Sequence, residues 1–94
     1  MARRRYLIAY DIANPKRLRA VVKLMEDFGT RLQYSVFLCD LRRAELAVWR
    51  TALTDVVELK EDSVVVIDLG AVGATPIEVI GLARNLPSQG AVVV

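Results

Sequence analysis

The chain has 94 residues, a net charge of +2 at neutral pH and a hydrophobic fraction of 54%. A chain of this length forms one small domain, and so high a hydrophobic fraction excludes an intrinsically disordered protein. With one cysteine and no histidine, the chain excludes an internal disulfide, a Cys/His zinc site and a histidine-assisted nucleophile.

No apolar run reaches the roughly 18 residues of a membrane span, and no signal-peptide core follows the basic start. We therefore expect a cytoplasmic protein that makes no membrane contact. The charge is uneven, since residues 1–50 carry eleven Lys and Arg against five Asp and Glu, whereas residues 51–94 carry two against six. The basic half predicts a phosphate-rich partner, although a merely solvated charged face has the same composition.

Two helices and five strands are predicted from the spacing of apolar residues. The first helix begins at Asn14-Pro15, a good cap and a good first helical residue, and Gly29 is expected to end it in a left-handed conformation. The second helix lacks a clear cap, and Asp40 is the nearest candidate. The predicted ranges are strand one 5–12, helix one 15–28, strands two and three 31–34 and 36–40, helix two 43–59, strand four 63–69 and strand five 76–80.

This order is the βαββαβ pattern of an α+β, ferredoxin-like fold with one additional C-terminal strand. We predict a single ferredoxin-like domain over residues 1–94, with its core over about 5–81 and a C-terminal tail over 82–94. The tail ends in Ala-Val-Val-Val, which is expected either to add an edge strand, within a dimer or to a partner protein, or to fray.

The second face of the predicted sheet lacks a cover. Two helices cover only one face of a four-stranded sheet, so the other face should carry polar residues. Instead, both faces are largely apolar, since Val64 and Val66 oppose Val65 and Ile67 in strand four, and Tyr6 and Ile8 oppose Leu7 and Ala9 in strand one. We assign the face that carries Leu7 and Ala9 to a partner. A second copy of the chain, packed sheet to sheet about a two-fold axis, would cover them. We expect this homodimer; the alternative is that the fifth strand and the tail fold back over the face.

Asp11 ends the otherwise apolar first strand and belongs to the same face. A two-fold axis there would bring Asp11 close to its own copy, and two facing carboxylates must share a proton, separate or hold a cation. Mg²⁺ suits two carboxylates, waters and a phosphate oxygen, which predicts one Mg²⁺ per dimer. The alternative is that Asp11 serves only as an acid near the start of helix one, beside Asn14.

Three segments carry a resemblance to a known family. They are YLIAYDI, a basic helix that ends at Gly29, and RLQYSVFLCDL. Together with EDSVVVIDL and IEVIG they span about residues 6–81, and they resemble the CRISPR-associated protein two family. The specific part is Tyr-Asp at the end of strand one combined with Gln-Tyr-Ser-Val-Phe at the right distance.

The resemblance implies a ferredoxin-like homodimer whose fifth strand often crosses to the partner's sheet. Asp11 matches the family's catalytic, metal-binding aspartate, one from each protomer. Many members are described as magnesium-dependent nucleases that cut single-stranded RNA or double-stranded DNA. In spacer acquisition the same dimer bridges the spacer integrase and supports DNA, and there the aspartate can be dispensable.

The resemblance also implies roles for basic residues. Arg17, Arg19 and Arg31 fall in the family's basic region and are expected to bind phosphates, although each could be an ordinary exposed arginine. The N-terminal arginines at positions 3–5 could extend this surface.

Three further residues are expected to support the motif. Ser35 would either contact water or phosphate near Asp11 or stabilise the bend between strands two and three. Phe37 is expected to pack in the core or the interface rather than stack on a base. Tyr10 points away from Asp11 by strand alternation and is expected to pack with its hydroxyl satisfied.

Two other functions stay open at this point. The chain could be a purely architectural subunit of the adaptation complex, with no catalysis of its own. It could also be a toxin-type ribonuclease of related fold.

Overall fold

The fold has a four-stranded antiparallel sheet and a separate pair of short strands. The computed structural model describes residues 2–82, 85 and 90–93. The elements are β1 Arg4–Asp11, α1 Pro15–Phe28, β2 Thr30–Gln33, β3 Val36–Leu41, α2 Arg43–Val56, β4 Ser63–Ala71, β5 Ile77–Val79 and β6 Ala91–Val93. The strand order of the main sheet is β2-β3-β1-β4, and β5 and β6 form the second sheet. This arrangement confirms the ferredoxin-like α+β fold.

Helix α1 has the predicted bounds. The Asn14 side chain accepts hydrogen bonds from the backbone N–H groups of Lys16 and Arg17, at 2.9 and 3.0 Å. The expectation for Gly29 is wrong, because this residue is extended, with φ −159° and ψ −171°. A Cβ at this position would overlap the Sγ of Cys39 and the carbonyl oxygen of Leu38. Glycine is therefore required here because α1 ends close against β3.

Helix α2 begins at Arg43, as predicted, but differs from the prediction in its cap residue and in its end. It ends at Val56 rather than at residue 59, since Val57 is extended, with its N–H donating to the Leu53 carbonyl. Arg42 is the cap residue, and its N–H donates to Glu45 Oε1 at 2.8 Å. Asp40, the cap candidate from the sequence, instead forms an ion pair with an arginine of β1.

The two helices cover one face of the main sheet. Alternate residues of β1 point into this core, and Trp49 of α2 donates a hydrogen bond from Nε1 to Met25 Sδ at 3.2 Å. The buried core residues are Tyr6, Ile8, Tyr10, Val21, Met25, Phe37, Cys39, Leu41, Trp49 and Leu53.

The opposite face is apolar, as predicted. The β1–β4 register pairs Leu7 with Ile67 and Ala9 with Val65. Val65 and Ile67 are 53% and 47% exposed, so the described part of the tail does not cover them. The tail does approach the far end of this face, where a Cβ on Gly90 would lie 3.5 Å from Arg5 Nη1. The predicted homodimer stays a prediction.

The C-terminal strands β5 and β6 run parallel, with Ile77 opposite Ala91 and Val79 opposite Val93. The described part of the tail thus forms a strand, one of the two outcomes that the sequence left open, and it pairs with β5 of the same chain. Residues 83, 84, 86–89 and 94 of the predicted tail lie outside the described residues. In the described part of the chain, no helix is long and apolar enough to cross a membrane.

Candidate active site at Asp11

Asp11 is an exposed carboxylate at the end of β1. It lies opposite Ser63 of β4 and shares its side of the sheet with Leu7 and Ala9, because side chains alternate along a strand. Among the described residues, no hydrogen bond or ion pair engages the Asp11 carboxylate. The carboxylate therefore stands at the edge of the uncovered apolar face, available to a ligand.

A buried aspartate holds the loop that follows Asp11. The Asp62 side chain is 0% exposed, and its Oδ1 accepts from the backbone N–H of Ala13 at 2.9 Å. Its Oδ2 accepts from the backbone N–H of Glu58 at 2.9 Å. Antiparallel pairing places the start of β4 beside the end of β1, so this carboxylate lies where the loop needs an acceptor.

Arg17 completes the arrangement around Asp62. Its Nε lies 2.9 Å from Asp62 Oδ2, and its Nη2 lies 3.2 Å from Asp62 Oδ1 and 2.8 Å from Glu61 Oε1. The Arg17 guanidinium, aided by the two backbone N–H groups, holds the pKa of Asp62 well below its usual range. Two carboxylates already engage Arg17, and a phosphate would have to compete with them.

The turn between β2 and β3 lies beside Asp11. The backbone N–H of Tyr10 donates to the Ser35 carbonyl at 3.1 Å, and the Tyr10 hydroxyl donates to the Tyr34 carbonyl at 3.2 Å. Arg31 donates to the same Tyr34 carbonyl from Nε and Nη2, at 3.2 and 2.7 Å. Three donors on one carbonyl fix the shape of this turn.

Tyr10 and Phe37 pack as the sequence predicts, whereas the role of the Ser35 hydroxyl stays a prediction. Phe37 is 0% exposed and Tyr10 is 6% exposed, so both pack in the core. Burial raises the pKa of the Tyr10 hydroxyl, and nearby Arg31 partly offsets this rise.

Arg19 is exposed on α1, whereas Arg31 lies partly buried over the turn. Phosphate binding by these arginines stays a prediction.

The N-terminal arginines do not extend the surface around Asp11. They lie at the opposite end of β1, roughly 20 Å away by strand length. Arg4 pairs with Asp68 at 3.0 Å, and Arg5 pairs with Asp40 at 2.8 Å. Their charges are used to hold neighbouring strands together.

Asp62 is the residue that sequence reasoning missed. The signal was present, because Glu61 and Asp62 directly precede a strand whose start lies beside the end of β1 in an antiparallel ferredoxin-like sheet. An acidic pair at that point faces the first turn of a basic helix that carries Arg17.

A single chain offers one carboxylate to a metal ion here. Within the described residues, no group of three or more His, Cys, Asp or Glu side chains could hold a metal ion. Mg²⁺ prefers oxygen ligands such as carboxylates, so Asp11 is a suitable ligand for this ion. One carboxylate alone, however, is too few ligands for a protein metal site. Further protein ligands would have to come from a second copy.

Comparison with known proteins identifies the family. The profile of the family described as CRISPR associated protein Cas2 matches residues 4–74. The chain belongs to this family. The Cas2 resemblance seen in the sequence is therefore confirmed, and the match includes both Asp11 and the Gln-Tyr-Ser-Val-Phe segment.

Individual Cas2 relatives agree with this assignment. The chain is 42% identical over 65 residues to a CRISPR-associated endoribonuclease Cas2 of Geobacter sulfurreducens, covering 69% of this chain and 68% of the relative. It is 32% identical over 89 residues to a protein of the same name, numbered 3, from a Synechocystis species, covering 95% and 97% of the two chains.

Solved structures share the fold. A hypothetical protein from Thermus thermophilus superposes with a TM-score of 0.80 at 29% identity, covering 88% of this chain and 96% of the other. Cas2 of Streptococcus pyogenes superposes with a TM-score of 0.66 at 39% identity, covering 70% and 86%.

Proposed function

We propose that a homodimer of this Cas2 protein binds nucleic acid and cuts its phosphodiester bonds with a Mg²⁺ ion shared by the two Asp11 carboxylates. We further propose that the dimer serves in spacer acquisition, where it bridges the spacer integrase. The observation that carries the catalytic proposal is the exposed, unengaged Asp11 at the edge of an uncovered apolar sheet face.

The uncovered face supports the homodimer. Leu7, Ala9, Val65 and Ile67 form a continuous apolar surface across β1 and β4. A stable interface hides about 800 Å² on each partner, and a sheet face of this kind is apolar enough to drive association. A two-fold axis that passes near the end of β1 would bring the two Asp11 residues together at one edge.

In such a dimer, different residues would bind the metal ion, support the loop after Asp11 and attract the phosphates. The paired Asp11 carboxylates would hold the Mg²⁺, which when bound stabilises negative charge on the phosphate. The Asp62–Arg17 contacts hold the loop after Asp11 and so support the backbone at the end of β1 that carries this carboxylate. Arg19 and Arg31 would attract the phosphate backbone without reading its sequence.

Several relatives bear the name endoribonuclease and one from Halalkalibacterium halodurans bears the name endonuclease, which supports nucleic acid as the substrate class. The relative from Halalkalibacterium halodurans is 35% identical over 85 residues. We therefore propose RNA and double-stranded DNA as the substrates to test first.

The deciding variant is Asp11→Asn, which removes the charge and keeps the shape. We expect it to abolish Mg²⁺-dependent cleavage of RNA and duplex DNA while the dimer persists in sedimentation. Asp55→Asn, an exposed change on α2, is the matched control and should cleave normally. Mn²⁺ titration should give one ion per wild-type dimer and none for Asp11→Asn. Unchanged cleavage by purified Asp11→Asn would defeat the catalytic proposal.

A second candidate function is a purely architectural role, with the chemistry supplied by the integrase. It is favoured because, within the described residues, no group of three or more His, Cys, Asp or Glu side chains could hold a metal ion in a single chain. Under this proposal Asp11→Asn leaves spacer acquisition intact, whereas Arg19→Glu reduces it. Arg19 is the better position for charge reversal, because reversing Arg17 would also break its contacts with Asp62. An acquisition assay with both variants separates the two functions.

A further inference from the structure

Tyr34 is the one aromatic side chain that this chain presents to solvent. All six aromatic residues lie in the described part of the chain. Tyr6, Tyr10, Phe37 and Trp49 are buried, and Phe28 is half-buried. Tyr34 is 63% exposed. One exposed aromatic ring is ordinary on a protein surface, so the contacts that hold Tyr34 decide whether its ring could serve a ligand.

The backbone beneath the Tyr34 ring is held rigidly. Its carbonyl accepts from the Tyr10 hydroxyl and from two nitrogens of Arg31. The Arg31 guanidinium also lies over the Tyr34 ring, 5.0 Å from the centroid, within cation–π range. A second ring, Phe37, lies 5.9 Å from the same guanidinium on its buried side. The ring is therefore supported before any ligand arrives, which lowers the entropic cost of binding.

The position of Tyr34 ties it to the candidate active site. The turn that carries it is joined to β1 by the hydrogen bond from the Tyr10 N–H to the Ser35 carbonyl, one residue before Asp11. A nucleotide whose phosphate reached the Asp11 carboxylate would have its neighbouring bases near this turn. The charge of Arg31 adds attraction for the backbone of the same strand.

We propose that Tyr34, backed by Arg31, is a stacking platform for an unpaired base, and that it makes the site prefer single-stranded over double-stranded nucleic acid. The inference rests on the proposed function, because it places the base next to the Asp11 site. Bases within a duplex are already stacked on their neighbours, whereas an unpaired base has a free face for an aromatic ring. Stacking tolerates every base, so the preference concerns strandedness and not sequence.

The test measures binding in EDTA, so that no strand is cut. The probes are a fluorescent oligothymidylate of about 16 nucleotides, an abasic strand of the same length and a duplex. Tyr34→Ala and Tyr34→Leu should weaken oligothymidylate binding by about 5- to 150-fold, the range for loss of one base–aromatic stack. Tyr34→Phe keeps the ring and should stay within about twofold of wild type. Because the hydrogen bonds from Arg31 and Tyr10 use the Tyr34 backbone carbonyl, all three variants keep them. Tyr34→Ala and Tyr34→Leu lose only the contact between the ring and the Arg31 guanidinium, which Tyr34→Phe retains.

The abasic strand and the duplex are the controls for electrostatic binding. Their affinities should be unaffected by any Tyr34 variant, since they offer no unpaired base. An equal loss for the abasic strand, or no loss for oligothymidylate, overturns the stacking platform. Loss of integrase binding with unchanged oligothymidylate affinity also overturns it and assigns Tyr34 to a protein contact.

Failure of this inference is distinguishable from failure of the proposed function. If Asp11→Asn abolishes cleavage while Tyr34→Leu binds oligothymidylate normally, the stacking platform alone is overturned. If wild-type protein binds neither strand nor duplex, the nucleic-acid function and the stacking platform are overturned together.

Discussion

Arg17, in the first turn of α1, and Asp62, in the loop before β4, form an ion pair beside the end of β1, with 2.9 Å between Arg17 Nε and Asp62 Oδ2. Asp62 also accepts from the backbone of Ala13 and Glu58, so one buried carboxylate serves donors from α1, from the loop after β1 and from the loop after α2. This contact fixes the loop that follows Asp11. It explains why Arg17 of this basic helix is paired with carboxylates of its own chain.

The first prediction concerns Asp62 itself. Asp62→Ala leaves the N–H groups of Ala13 and Glu58 without an acceptor and Arg17 without its main partner, and unpaired buried polar groups are costly. We expect the melting temperature to fall by roughly 5 °C or more, as measured by circular dichroism. Glu61→Gln, which removes a 58% exposed carboxylate, is the control and should melt close to wild type. Equal melting temperatures for Asp62→Ala and wild type would contradict this role.

The second prediction is a pH dependence. The folded-state pKa of Asp62 lies below that of an unfolded aspartate, which is about 3.9. The stability it contributes is therefore fully present above the unfolded pKa and is lost as the pH falls through the folded pKa. The difference in melting temperature between wild type and Asp62→Asn should be largest above about pH 5 and should shrink as the pH is lowered.

Asp68 requires a control in that experiment, because the guanidinium of Arg4 also lowers its pKa. Asp68→Asn removes the titrating carboxylate of the exposed Arg4–Asp68 pair, and with it the second source of pH-dependent stability. The melting temperature of the double variant Asp62→Asn/Asp68→Asn should therefore depend less on pH in the acid range than that of either single variant. A wild-type minus Asp62→Asn difference that stays constant down to pH 2 would argue against the linkage.

Much of the fold followed from local patterns in the sequence. Helix α1 has both predicted bounds because Asn14 and Pro15 are strong start signals and Phe28 ends the apolar stripe. The apolar second face was visible from the alternation in β1 and β4, since a period of two assigns each side chain to one face. These features depend on residues close together in sequence.

The errors involve contacts between distant segments. Gly29 was expected to be left-handed, but its requirement comes from β3, which approaches too closely for a Cβ. Asp40 was considered as a helix cap, but Arg5, 35 positions away, takes its carboxylate. For the candidate site, the sequence identified Asp11 and the turn motif but not Asp62, whose role depends on a partner 45 positions away in sequence.

The third prediction concerns the buried ion pair between Arg5 and Asp40. Arg5 is 1% exposed, and its Nε and Nη2 donate to the two Asp40 oxygens at 2.8 and 3.0 Å. Asp40→Asn removes the charge opposite a buried guanidinium, so we expect a loss of roughly 2–3 kcal/mol in the free energy of unfolding. The measurement is urea denaturation. Asp68→Asn, which alters the exposed pair with Arg4, is the matched control and should change stability little. Equal losses for the two variants would mean that burial of Arg5 does not set the cost.

The fourth prediction tests the homodimer through Ile67, which is 47% exposed on the uncovered face. Ile67→Glu places a charge where the partner's sheet would pack, and burying it unpaired is too costly for association. Wild type should sediment at twice the 10.5 kDa chain mass, and Ile67→Glu at the chain mass. Val48→Glu, a change at a 61% exposed position on α2, should remain dimeric.

Because the proposed Mg²⁺ site needs Asp11 from both copies, Ile67→Glu should also lose Mg²⁺-dependent cleavage although its own Asp11 is intact. Wild-type protein that sediments at 10.5 kDa at high concentration would remove both the dimer and the shared metal site.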